Sequence, residues 1–155
     1  MKPISVTFQC FGPYMDKQFI DFTRLEQNGL FLICGETGAG KTTVLDAMCV
    51  ALYGWSSGGS RGELSEMRCK LAGKDDVTEV EFVFENGGRQ YKFTRSLRVA
   101  RKNETEAHQC AQLLDGQWVP MLENPKKTGV NAKAAEIIGL SYDQFRQVII
   151  LPGTV

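Results

Sequence analysis

Gly35-Glu36-Thr37-Gly38-Ala39-Gly40-Lys41-Thr42, followed by Thr43, decides how this chain is read. The stretch fits the pattern G-x-x-x-x-G-K-[ST] at every fixed position. Its flanks fit as well. Leu30-Phe31-Leu32-Ile33 is a short continuous apolar run, as expected for a strand buried on both faces. Beyond the loop, Val44, Met48 and Leu52 recur at every fourth position and give a helix an apolar stripe. Gly54 stands where a C′ glycine would end that helix.

Strand, glycine-rich loop and helix form the arrangement that triphosphate binding needs. Glycines let the backbone curl so that several N–H groups point at phosphate oxygens. The helix N-terminus adds its partial positive charge. The candidate nucleotide-binding residues are therefore Gly35, Glu36, Thr37, Gly38, Ala39, Gly40, Lys41, Thr42 and Thr43. Lys41, the candidate catalytic residue, is expected to reach the β- and γ-phosphates. The Thr42 hydroxyl is the candidate ligand of Mg²⁺, an ion that prefers oxygen.

A length of 155 residues predicts one domain, and 43% apolar content is enough for a core. Eighteen basic and eighteen acidic side chains cancel, so a nucleic-acid partner has to be argued from local clusters. Cysteines at 10, 34, 49, 69 and 110 show no C-x-x-C pairing, which points to reduced core thiols in a cytosolic protein. Met1-Lys2-Pro3 leads directly into an alternating stretch, so no signal peptide is expected. No apolar run approaches ~20 residues, so no membrane span is expected either.

Ile4, Val6 and Phe8 alternate as a half-buried strand, Phe11-Gly12-Pro13-Tyr14 reads as a loop, and Phe19, Ile20 and Phe22 suggest a second short strand. Ser56 to Gly62 reads as a flexible polar connection. Val80, Phe82 and Phe84 share one strand face, Asn86-Gly87 signals a hairpin, and Tyr91, Phe93, Leu97 and Val99 share a parity on the return. Alternation resumes from Ala107 to Leu114, and Asp115-Gly116 turns into Trp118-Val119. Asn131 or Thr128 is a candidate cap for a helix ending near Ile138, before Gly139. Ser141 and Gln144 form a capping box for a second helix carrying Phe145, Val148 and Ile149, with Pro152 at its end.

ATP hydrolysis on such a fold needs a further apolar strand ending in Asp, often followed by Glu. No such strand follows the loop. Leu113-Leu114-Asp115 is a hairpin, and Ser57-Gly58-Gly59, directly after the phosphate-loop helix, stands in the wrong place for the Ser-Gly-Gly signature of ABC-type ATPases. The chain is read as half of a catalytic site.

Four segments together resemble a known family. Met1-Lys2-Pro3-Ile4 opens into a strand, and Phe11-Gly12-Pro13-Tyr14 follows. Cys34 to Ala47 is the phosphate loop with its helix, and Gly139-Leu140-Ser141-Tyr142-Asp143-Gln144-Phe145-Arg146-Gln147 leads to Ile150-Leu151-Pro152. The chain resembles the N-terminal ATPase segment of the SbcC family, the SMC-like subunits of bacterial SbcCD nucleases. The resemblance implies an α/β P-loop NTPase lobe of ABC/SMC type, with an antiparallel β subdomain beside the phosphate-loop strand and helix. It implies ATP and Mg²⁺ as ligands and a C-terminal lobe, beyond a coiled coil, that carries the signature and the hydrolytic acid. It further implies an ATP-dependent second copy of the head, a metal-dependent nuclease subunit (SbcD), double-stranded DNA and a cytoplasmic, nucleoid-associated setting. Phe11 to Tyr14 and Lys70-Leu71-Ala72 are implied to lie near base and ribose. The family continues after Leu-Pro with Gln-Gly-Glu-Phe, whereas Gly153-Thr154-Val155 follows Pro152 here. That departure is read as a truncation or junction, and hydrolysis by this chain alone is not expected.

From Arg89 to Lys102 there are six cations and no acids. Two readings stand: a solvated basic strand face, or contact with the DNA backbone. Strand parity places Lys92 and Arg98 opposite the apolar face, so these two and Lys102 are the candidate DNA contacts, while Arg95, on the apolar parity, is expected to be partly buried and paired. His108, the only histidine, reads as a strand residue with a satisfied ring. Three functions compete: a repair ATPase lobe that gates a nuclease, an SMC-type clamp without one, and a transporter-type subunit.

Overall fold

The structure, a computed structural model, describes residues 1–25, 38–58 and 62–150. The apolar run at 30–33, Cys34, Gly35 to Thr37 and Pro152 lie outside the described residues. Among the described residues, β1 (Lys2–Gln9), β2 (Gln18–Asp21), β3 (Thr78–Asn86), β4 (Arg89–Ala100), β5 (Asn103–Leu114) and β6 (Gln117–Pro120) form one sheet. Its order is β2-β1-β3-β4-β5-β6 and every neighbouring pair is antiparallel. Three α-helices among the described residues accompany it: α1 (Gly38–Tyr53), α2 (Lys127–Ile138) and α3 (Tyr142–Ile150). No described helix is long and apolar enough to cross a membrane.

Alternation gives the sheet a dry face. Val6 stands opposite Phe82, Phe8 opposite Val80, Phe82 opposite Phe93, and Phe93 opposite Cys110, all of them buried. Phe82, Phe84, Tyr91 and Phe93 stack along this face at centroid distances of 5.3 to 5.7 Å, within the range where aromatic pairs attract beyond their area. Pro3 sits where the β1–β3 register shifts, beyond the Ser5–Phe8 stretch that β2 covers, so no ladder bond from its missing N–H is needed.

Helix α1 lies against this face. Every residue from Thr43 to Tyr53 is buried, Thr43 and Asp46 included, so the helix is covered all round rather than along the expected stripe. The reason is its position: β1, β3 and β4 pack on one side of α1, and α2 and α3 on the other. Gly54 ends the helix as expected, at φ 75°.

Several local expectations are corrected. The β3–β4 turn is Gly87-Gly88, with φ of 60° and 79°, and Asn86 is the last ladder residue, paired with Arg89. Two glycines meet the left-handed requirement at both turn positions, and the Asn86 side chain donates from Nδ2 to Ile137 O at 2.7 Å. Strand β5 begins at Asn103, before the predicted Ala107: Asn103 pairs with Ala100 of β4, and residues 103–107 are all exposed, so no alternation of burial marks them in the sequence. Helix α2 starts after Lys126, which makes no side-chain cap bond; Thr128 and Asn131 are inside it. The Ser141–Gln144 box forms as expected: Ser141 N–H donates to Gln144 Oε1 at 2.9 Å, and Gln144 N–H to Ser141 Oγ at 3.2 Å. Phe145 is buried against Tyr53, 5.4 Å between ring centroids.

Candidate functional site

Helix α1 begins at Gly38, inside the glycine-rich motif, and its first turn carries no acidic residue. The amides of that turn have no intrahelical acceptor, and such a helix end favours an anion. The donor set therefore fits a triphosphate. Of the sequence-predicted residues, Gly38 to Thr43 are placed in the first turns of α1, while Gly35, Glu36 and Thr37 lie outside the described residues.

Thr43 is buried beneath the turn at Phe11 to Tyr14, which closes on itself through Phe11 N–H to Tyr14 O at 2.8 Å and Tyr14 N–H to Phe11 O at 3.0 Å. At Gly12 (φ 57°) the backbone passes so near that an added Cβ would stand 3.3 Å from Thr43 Cγ2. Gly12 N–H then donates to Met67 O at 2.7 Å, and Cys69 N–H to Cys10 O at 3.0 Å. These bonds stitch the turn to residues 67–69. A cleft of about 660 Å³ opens there, lined by Gly12, Pro13 and the 66–71 segment. Leu71 is 79% exposed in it. Two segments that stand more than 50 residues apart in the chain are thus brought together beside the start of α1.

Arg68, unremarked in the sequence, holds the next segment. Its guanidinium donates to Gly73 O at 2.6 Å, Asp76 O at 2.7 Å and Thr78 Oγ1 at 3.0 Å. Ser56 and Ser57 correct the first part of the expected flexible connection, for both are buried, while residues 59–61 of it lie outside the described residues. The Asp46 carboxylate, in the early part of α1, accepts from Ser57 N–H at 2.9 Å and Ser57 Oγ–H at 2.6 Å. Tyr142 O–H donates to Ser56 O, and the Arg146 guanidinium lies 5.5 Å from the Tyr142 ring centre.

The far end of α1 meets Arg95. Strand parity predicts a partly buried, paired residue; the structure buries it fully. Its Nε donates to Ala51 O and its Nη2 to Leu52 O, each at 2.9 Å, and Nη2 also donates to Asn131 Oδ1 at 2.7 Å. Its Nη1 lies 3.0 Å from His108 Nδ1. A guanidinium only donates, so Nδ1 is the acceptor and the His108 proton sits on Nε2, 3.5 Å from Glu106 Oε2. Burial lowers the Arg95 guanidinium to about 10, which leaves it charged at neutral pH. Burial and the adjacent Arg95 hold His108 below the ordinary imidazole value.

The three basic candidates separate in space. Lys92 is engaged on the outer sheet face: its Nζ lies 3.9 Å from Glu81 Oε1 and 4.8 Å from the Trp118 ring centre. Arg98 and Lys102 are exposed near the β4–β5 turn, where Arg101 also stands, and Arg98 and Arg101 share a cleft of about 310 Å³ with Lys74, Asp75 and Asp76. The run without acids is therefore a property of the linear sequence. In the sheet, Glu79, Glu81 and Glu85 of β3 stand beside β4.

Comparison with known proteins places these features in a family. The AAA domain family matches residues 5–154. The SbcC subunit of the SbcCD nuclease from Vibrio cholerae serotype O1 is 40% identical over 159 residues, covering 98% of this chain and 16% of the relative. Proteins of the same name from Lactococcus lactis and Staphylococcus aureus are each 35% identical, covering 98% of this chain and 15% of their own length. The chain thus spans about a sixth of the length of the curated relatives it matches.

Proposed function

This chain belongs to the AAA domain family, and on that premise we propose that it is the N-terminal lobe of an SMC-like ATPase head that binds Mg²⁺·ATP. The observation that carries this reading is the placement of α1. The helix starts within the phosphate-loop motif, without an acid in its first turn, next to a cleft built from residues 12–13 and 66–71. Gly35 to Thr43 would hold the triphosphate, Lys41 the β- and γ-phosphates and Thr42 the Mg²⁺, while the cleft would receive base and ribose. When bound, Mg²⁺ supplies charge neutralisation across the phosphates.

Similarity to proteins named as the SbcC subunit of a nuclease supports a role beside a nuclease. In this reading, ATP binding joins two heads and hydrolysis releases them. That cycle regulates a metal-dependent nuclease subunit acting on DNA ends and hairpins in the cytoplasm, at the nucleoid. The hydrolytic acid and signature motif belong to a C-terminal lobe. Double-stranded DNA would lie across the β4–β5 end, on Arg98 and Lys102, with Lys92 contributing less because Glu81 and Trp118 engage it.

The test is Mg·ATP turnover by the chain alone and mixed with a C-terminal lobe, with Lys41→Ala as control. Turnover only in the mixture, lost in Lys41→Ala, supports the split head. Robust turnover by the chain alone overturns it. Absence of any nuclease on purification of the native complex would favour a clamp that tethers DNA without directing cleavage.

A further inference from the structure

Arg95 is an unusual choice for the interior of a sheet. Its neighbours on the same face, Val80, Phe82, Phe93 and Leu97, are apolar and fully buried. Its hydrogen-bond partners among the described residues are all neutral: two main-chain carbonyls, an amide oxygen and an imidazole nitrogen. Burying a cation is costly unless something offsets the lost hydration. The nearby Glu106 carboxylate favours the charged form, and the atoms the guanidinium touches add the negative pole of α1. Ala51 and Leu52 belong to the last turn, whose carbonyls lack intrahelical donors and carry together about half a negative charge.

Filling space would not require this arrangement. A methionine would occupy the site without the desolvation. What the guanidinium adds is direction. Apolar packing around α1 is non-directional, so it resists separation of helix and sheet better than sliding or rotation. A planar fork seated on two consecutive carbonyls permits neither. Asn131 of α2 joins the same fork, and a Cβ at Gly54 would stand 3.2 Å from Asn131 Oδ1, so sheet, α1 and α2 converge on one point. Helix α1 is a rod ~24 Å long whose other end is the phosphate loop. A shift at the fork is carried to that end.

We propose that Arg95 is the positioning residue of the phosphate loop: it sets α1 axially and rotationally against β4, and so controls the triphosphate affinity of a loop it does not touch. The inference rests on the nucleotide-binding reading. Its test uses the full-length protein, comparing wild type, Arg95→Met, Arg95→Lys and Asn131→Ala. Three quantities are measured: Mg·ATP dissociation constant, thermal midpoint, and amide hydrogen exchange across residues 38–53 without nucleotide. Arg95→Met is expected to weaken Mg·ATP at least about fivefold, the lower end of ordinary coupling between sites, and to speed exchange in α1. Arg95→Lys keeps one donor group at the carbonyls and should bind more tightly than Arg95→Met, even where the methionine variant melts higher. A space-filling role alone predicts affinity in the order of stability.

Unchanged affinity in Arg95→Met and Asn131→Ala, with Lys41→Ala still losing nucleotide, overturns the proposal. If Arg95→Met does not fold, Arg95→Lys and Asn131→Ala decide by the same criterion. If wild type itself does not bind Mg·ATP, the nucleotide reading falls, and with it this inference.

Discussion

A methyl group added at Gly12 and one added at Gly139 test the same backbone strain in opposite surroundings. Both residues are left-handed, at φ 57° and 78°. That conformation costs an L residue about 1–2 kcal/mol. Around Gly139 nothing among the described residues lies within 4 Å of the new Cβ, so Gly139→Ala should lower stability by about 1 kcal/mol and leave nucleotide binding unchanged. At Gly12 the methyl meets Thr43 Cγ2 at 3.3 Å, and a β-branched residue in a helix has few rotamers and little room to yield. Gly12→Ala should cost about 1–2 kcal/mol or more and should also weaken Mg·ATP, because the crowded residue lies in the loop's own helix. Urea midpoints and nucleotide titration of both variants would check the contrast. Sequence spacing identifies Gly12 as a loop residue but not its neighbour, since 31 positions separate it from Thr43.

Elements show the same division. The Ser141–Gln144 box is legible because both partners lie within one turn. Ser141→Ala should cost about 1 kcal/mol by chemical denaturation, from the loss of one capped amide. Helix α2 departs from its expected caps: it starts at Lys127, so Thr128 and Asn131 both lie inside it, and the Asn131 side chain accepts from Arg95, 36 residues away. Residues 103–107 carry no strand pattern because all five are exposed, so no alternation of burial marks them. The polar stretch after α1 reads as flexible, yet Ser57 is held by Asp46 and Ser56 lies under Tyr142. A serine pattern says nothing about a carboxylate eleven residues earlier that turns toward it.

Across the molecule as a unit, two measurements follow. His108 is held neutral by burial and by Arg95, while Glu106 favours its charged form less strongly and Lys127, paired with Glu63, opposes it. Its folded value lies below the unfolded one of about 6.5, so the stability it contributes is present above that pH and is lost as pH falls through it toward the folded value. Denaturation midpoints between pH 7.5 and 5.5 should fall more steeply for wild type than for His108→Gln, a window of about one unit on either side of the unfolded value. Parallel curves would refute the assignment. In the second measurement, reversing both Arg98 and Lys102 should reduce the salt slope of DNA binding by about 2, as expected for two phosphate contacts at ~0.9 each. Lys92→Glu should change the slope little, because that ammonium is already shared between Glu81 and Trp118.

What residue order fixes in this chain is local or periodic: the phosphate-loop motif, the end of its helix, the dry faces of β3 and β4, the burial of Arg95, and the box that opens α3. Each depends on neighbours within a turn or on a repeat of two, which spacing along the chain records. Folding added the meetings across long separations. It brought the turn at Phe11 to Tyr14 onto Thr43 and beside residues 66–71, placed the β3 glutamates beside the basic strand, and joined Arg95 to the carbonyl end of α1. Those contacts come from sheet order and helix packing. Pairing β1 with β3 brings the chain's first strand against one that starts at Thr78, and no local pattern carries that information.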